Sequence, residues 1–130
     1  MRPILLAFAA IAVLGPAAAA AQGPGLSVAD VLAKSDALEK KGMLAVFSSD
    51  LRVIKAEAQR DVEAFAAQLR SAHNAHRPLP ACLPQESSGW KLTFDTEEIL
   101  KYYRSIPPQR RGMSSVDAFA EFMKVKYPCR

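Results

Sequence analysis

The sequence predicts an all-α fold: a small four-helix domain with one disulfide, preceded by a cleavable signal peptide. Three observations carry that prediction. Apolar residues recur at three- and four-residue steps along four stretches after residue 27. The first 21 residues have the order of a secretory leader. The chain holds two cysteines, Cys82 and Cys129, and an even count in an exported chain favours a bridge. The organisation read from this is a signal peptide over 1–21, a linker over 22–26 and a helical, disulfide-stapled domain over 27–130.

The leader is read from its parts. Arg2 supplies a positive start, Ile4 to Leu14 an apolar run, Gly15 and Pro16 a break, and Ala17 to Ala21 the small residues of a cleavage site. The run falls short of the ~20 residues that span a bilayer. Removal after Ala21 predicts a periplasmic chain of roughly 109 residues, enough to bury about two thirds of its unfolded surface in one core. Losing Arg2 lowers the formal net charge from +4 to +3. The charges are mixed along the chain, with short runs such as Lys40-Lys41 and Arg110-Arg111. A nucleic-acid binder would cluster its basic residues on one face with aromatics between them. No nucleic-acid partner is therefore expected, nor a membrane partner once the leader is gone.

Past the Gly/Pro linker, Ser27 caps a first helix, with Asp30 favourable in its first turn. Val28, Val31, Leu32 and Leu38 share a face, Lys40 and Lys41 suit the last turn, and Gly42 stops it. Met43 to Phe47 is expected to pack as one turn against the core. Ser48, Ser49 and Asp50 cap a long second helix over about 50–73, with the stripe Leu51, Ile54, Ala58, Val62, Phe65, Leu69 and Ala72. Glu57, Arg60 and Asp61 are read as surface charge pairs of this helix.

Prolines 78, 80 and 84 make the following stretch, with Cys82 inside it, extended or turning. Trp90, Leu92 and Phe94 alternate with polar residues and suggest a short extended piece over the core, with no partner strand evident. Asp95 and Glu98 form a capping-box pair for a third helix lined by Ile99, Leu100, Tyr103 and Ile106 and ended by Pro107-Pro108. Ser114 or Ser115 caps a fourth, with the stripe Val116, Phe119, Ala120, Met123 and Tyr127, and Pro128 terminates it. A Cys82–Cys129 bridge would close a loop of about 47 residues, worth ~4 kcal/mol in the chain-entropy model.

No motif promises chemistry. His73, His76 and Cys82 lack a fourth zinc ligand, and an oxidised Cys82 is neither a ligand nor a nucleophile. Asp95, Glu97 and Glu98 read as first-turn dipole partners and not as an acid–base pair. No enzyme activity, metal or cofactor is expected. The residues of interest are Trp90, Tyr102, Arg104, Arg110 and Arg111, because aromatics and arginine are enriched at protein–protein hot spots. The plainer reading makes Trp90 and Tyr103 core and the arginines solvated.

Cys82-Leu83-Pro84 opens the second half. Thr96-Glu97-Glu98-Ile99-Leu100-Lys101-Tyr102-Tyr103 follows, then Ile106-Pro107-Pro108-Gln109-Arg110-Arg111. Ser115-Val116-Asp117-Ala118-Phe119-Ala120-Glu121-Phe122-Met123 then runs into Tyr127-Pro128-Cys129. This half resembles the Rap/Tai family, small exported helical immunity proteins that neutralise peptidoglycan-amidase toxins delivered by type VI secretion. Many members of that family carry an earlier cysteine pair, whereas residues 28–72 here hold no Cys. The resemblance implies a binding protein that inhibits a secreted amidase toxin by steric blockade. Separately from it, a homodimer is a further state to test. The alternative is a periplasmic stress protein in outline like the HdeA-type acid chaperones.

Overall fold

Ser27 opens the first helix, α1 (Val28–Lys41), through a capping box. Its Oγ accepts from the Asp30 backbone N–H at 3.1 Å, and Asp30 Oδ2 accepts in return from the Ser27 N–H at 3.1 Å. The structure, a computed structural model, describes residues 25–86, 89–90 and 95–130. The expected leader, most of the linker, and Leu92 and Phe94 lie outside the described residues, as do the side chains of Glu86 and Trp90.

Gly42 ends α1 with φ 55°, a left-handed value that a side chain would strain. The chain then makes a 3-10 helix, Gly42–Phe47, and enters α2 (Ser49–Asn74) with Ser48 as cap. Lys34 and Lys41 both reach Asp50, at 3.0 and 3.5 Å, and tie the end of α1 to the start of α2. The Lys34 hydrogen bond holds the Asp50 carboxyl below its ordinary range.

After α2 the proline crossover leads to β1 (Gln85–Glu86), which pairs antiparallel with β2 (Gly89–Trp90). The sequence offered Trp90 no partner strand; a two-residue ladder on its own N-terminal side supplies one. Helix α3 (Thr96–Ser105) carries the expected Asp95–Glu98 capping box. A 3-10 turn at Pro108–Arg110 follows, and then α4 (Ser115–Lys126), capped by Ser114.

The fold is all-α with one disulfide. The Cys82–Cys129 bridge joins residues whose Cα atoms are 4.9 Å apart. Beside it, the Cys82 N–H donates to the Tyr127 carbonyl at 2.9 Å. The two links fasten the proline crossover to the end of α4.

Two apolar clusters form the core. In one, Phe65 and Leu69 of α2 meet Leu83 of the crossover and Phe119, Phe122 and Met123 of α4. Phe65 and Phe119 stack edge to face at 5.9 Å. In the other, Val28, Val31 and Leu32 of α1 meet Tyr103, Ile106 and Ala118. The chain just before α1 is held to the loop before α4 by backbone bonds from Val28 N–H to the Met113 carbonyl and from Ser115 N–H to the Leu26 carbonyl.

Three expectations are corrected. The Met43–Phe47 turn does not pack against the core: Met43 is 93% and Phe47 86% exposed, and the 3-10 helix touches only α1 and α2. It spans the tip of the α1–α2 hairpin, out of reach of either cluster. Second, Glu57 and Asp61 are not surface residues; they are 5% and 4% exposed. The buried face of α2 runs through 57, 61, 65, 69 and 72, so its N-terminal half is turned about one residue from the expected stripe and Ala58 is exposed. Third, α4 buries Ala118 and Phe122 besides Phe119, Ala120 and Met123, while Val116 and Tyr127 are half-buried. A short helix packed between α2 and α3 needs a face wider than one stripe.

Candidate functional site

The sequence singled out Trp90, Tyr102, Arg104, Arg110 and Arg111. Four of these five fall within α3 and the turn after it. Tyr102 is not among Ile99, Leu100, Tyr103 and Ile106, the residues read as lining α3, yet its ring is half-buried, 6.5 Å from Tyr103 and 5.7 Å from Phe122. Its hydroxyl donates to Glu121 Oε2 at 3.4 Å. Arg110 meets the same carboxylate through both oxygens, at 2.9 and 3.1 Å. Burial, with Glu121 alongside, raises the Tyr102 phenol above its ordinary value. Tyr102, Glu121 and Arg110 thus make one pre-ordered cluster of an aromatic with a charged rim.

The other arginines are turned inward on the chain. Arg104 pairs with Asp36 at 3.1 Å and Glu39 at 2.9 Å, joining α3 to α1. Arg111 donates to the Ile106 and Arg104 carbonyls, both at 2.8 Å, and closes the turn that Pro107 and Pro108 force. Tyr103 is core, and its hydroxyl donates to the Ser115 carbonyl at 3.1 Å. The side chain of Trp90 lies outside the described residues.

A cluster the sequence reading missed joins α2 to the start of α4. Ser115 Oγ lies 2.9 Å from Glu57 Oε1 and 3.0 Å from Asp61 Oδ1. Glu57 Oε1 also accepts the Leu26 N–H at 2.8 Å, and Glu57 Oε2 faces Arg60 at 3.2 Å. A hydroxyl carries a single hydrogen, so Ser115 donates to one carboxyl at a time. The second contact is completed when Asp61 holds its own proton. Burial favours that state, lifting the Asp61 carboxyl to about 7, opposed by the Ser115 hydrogen bond. The signal available in the sequence was the four-residue step from Glu57 through Asp61 to Phe65 and Leu69, which places both acids on a core stripe.

Both carboxyls border an apolar crevice of about 80 Å³ between α2 and α3, lined by Ile54, Ala58, Ile99, Leu100 and Tyr103. That is well below the ~300 Å³ at which ligand pockets begin. Both Glu57 oxygens and Asp61 Oδ1 are spent on protein groups, so the cluster acts as an internal clamp.

The third feature is the hairpin tip. Met43, Leu44, Val46 and Phe47 are all exposed, and Val53 on the adjoining turns of α2 is exposed as well. Lys40, Arg52 and Lys55 flank them without an ion pair among the described residues. No group of three His, Cys, Asp or Glu residues poised for a metal occurs among the described residues. Compared with known proteins, the chain matches no family model, no curated protein and no solved structure.

Proposed function

We propose that this protein is an exported, periplasmic binding protein that works by surface contact, similar to immunity proteins that inhibit peptidoglycan-amidase toxins by steric blockade. The observation that carries the reading is the Tyr102–Glu121–Arg110 cluster. A half-buried ring beside an arginine whose one nitrogen reaches both Glu121 oxygens loses little freedom on binding, because the fold has already ordered both side chains. The cluster sits in the half of the chain that resembles that family, with Glu121 on α4, the helix whose end the disulfide fastens to the crossover.

Affinity capture tests the proposal. The oxidised protein is immobilised and exposed to a secreted amidase toxin encoded beside its gene. Retention that falls at least tenfold in Arg110→Glu, about 1.4 kcal/mol, supports the reading. Absence of retention with a folded, oxidised protein argues against an amidase partner. Undiminished retention by Arg110→Glu argues against this face.

A further inference from the structure

We infer that the α1–α2 hairpin tip, Gly42–Phe47, is a docking element for a membrane surface of anionic phospholipid. Four large apolar side chains on six consecutive residues stand in solvent, at exposures that leave Met43 and Phe47 almost uncovered. Single exposed apolar residues are ordinary, but a contiguous set is not.

Three observations choose the occupant. The first is charge. Residues 40–55 hold four cations, Lys40, Lys41, Arg52 and Lys55, against one carboxylate, Asp50. Asp50 is taken up by Lys34 and Lys41. The neighbouring acids Asp36 and Glu39 are occupied by Arg104. Side chains on a helix lean toward its N-terminus, so Arg52 and Lys55 incline toward the tip. An apolar centre flanked by cations that have no ion pair among the described residues is the pattern of an interfacial anchor on anionic lipid.

The second is chemistry. No side chain from Gly42 to Phe47 has a hydrogen-bond donor or an acceptor stronger than the Met43 thioether, whereas protein interfaces carry about one hydrogen bond per 100–200 Å². The backbone of the tip is already closed into a helical turn, with the Gly42 N–H bonded to the Glu39 carbonyl and the Ser48 N–H to the Ala45 carbonyl. An apolar medium requires that closure.

The third is shape. A convex six-residue turn offers far less than the ~800 Å² per partner of a stable dimer, and two such knobs do not interlock. A lipid surface accepts a protruding knob to a depth of ~5–10 Å. No helix among the described residues is long and apolar enough to cross a membrane, so the contact is peripheral. A chain that docks this way stays associated with a membrane after its leader is removed, contrary to the expectation from its composition.

The test is vesicle sedimentation of the protein purified from the periplasm of an expressing bacterium. Neutral phosphatidylcholine vesicles are compared with vesicles containing phosphatidylglycerol. The expected result is at least tenfold stronger partition onto the anionic vesicles, weakened by salt. Phe47→Asp and the double change Lys40→Glu with Arg52→Glu each lower it at least tenfold. These side chains are exposed, and circular dichroism checks that the variants stay folded. In a Phe47→Trp variant the added emission shifts to the blue on anionic vesicles only. Equal partition onto both vesicles, or binding unchanged by Phe47→Asp, overturns the inference. So does a solution dimer that Phe47→Asp dissolves, which would assign the tip to a second copy.

Discussion

Ser115, the first residue of α4, places its hydroxyl 3.0 Å from the Asp61 carboxyl in the middle of α2. Both residues are buried, and the contact fastens the helix pair that shares the larger core cluster. Because Asp61 is held near 7 by burial, its proton is part of the fold.

That proton gives stability a pH dependence of definite sign. The folded Asp61 value lies above the ordinary carboxylate value of 3.8. Its contribution is therefore full below about pH 4 and is lost as pH rises through about 7. A shift of this size corresponds to about 4 kcal/mol. Asp30, Asp50 and Glu98 are lowered by their partners and act in the opposite sense at acid pH, weakly because Asp30 and Glu98 are exposed and Asp50 is only half-buried. Urea midpoints between pH 4 and 9 are expected to fall for the native sequence and to flatten for Asp61→Asn.

Ser115→Ala removes the hydroxyl that both carboxyls share. Two buried acids then face each other without a mediator, at an expected cost of about 1–3 kcal/mol. Chemical denaturation checks this, and the loss should grow as pH rises and Asp61 ionises.

Gly25→Ala tests the other side of the same clamp. A Cβ on residue 25 would collide with Glu57 Oε1, which Leu26 and Ser115 hold in place. The expected destabilisation is about 1–3 kcal/mol, measured by thermal unfolding. Gly112→Ala, where a Cβ meets nothing within 4 Å, is the control and should be near neutral.

The helices and the bridge were legible because each rests on a local signal. Ser27 with Asp30 and Asp95 with Glu98 are capping pairs three residues apart, and both boxes form. Two cysteines allow a single pairing. The Glu57–Asp61 clamp was hidden because its justification is remote: the Leu26 N–H and the Ser115 hydroxyl lie 31 and 58 residues from Glu57. Polar residues on a helix look solvated until their partners are known. The tip was misplaced for the opposite reason. Five consecutive apolar residues look like core, but the short span between two long helices fixes them at the hairpin's end. The role of Tyr102 was half legible: its residue type suggested a surface, and its stacking between Tyr103 and Phe122 depends on how α3 meets α4.

Reduction of the Cys82–Cys129 bridge is expected to cost about 2–4 kcal/mol. The loss should fall chiefly on the crossover and the end of α4, where the Cys82–Tyr127 backbone bond lies. Hydrogen exchange of the Cys82 amide with and without reductant reads this directly.

The most direct test of the binding reading is survival of cells that send the neighbouring amidase toxin to the periplasm. They are compared with and without this protein, and with its Arg110→Glu variant. Protection by the native protein, loss of protection when the leader is deleted, and weakened protection by Arg110→Glu are the expected results. Lysis at the same rate despite abundant, folded and oxidised protein would contradict the binding reading.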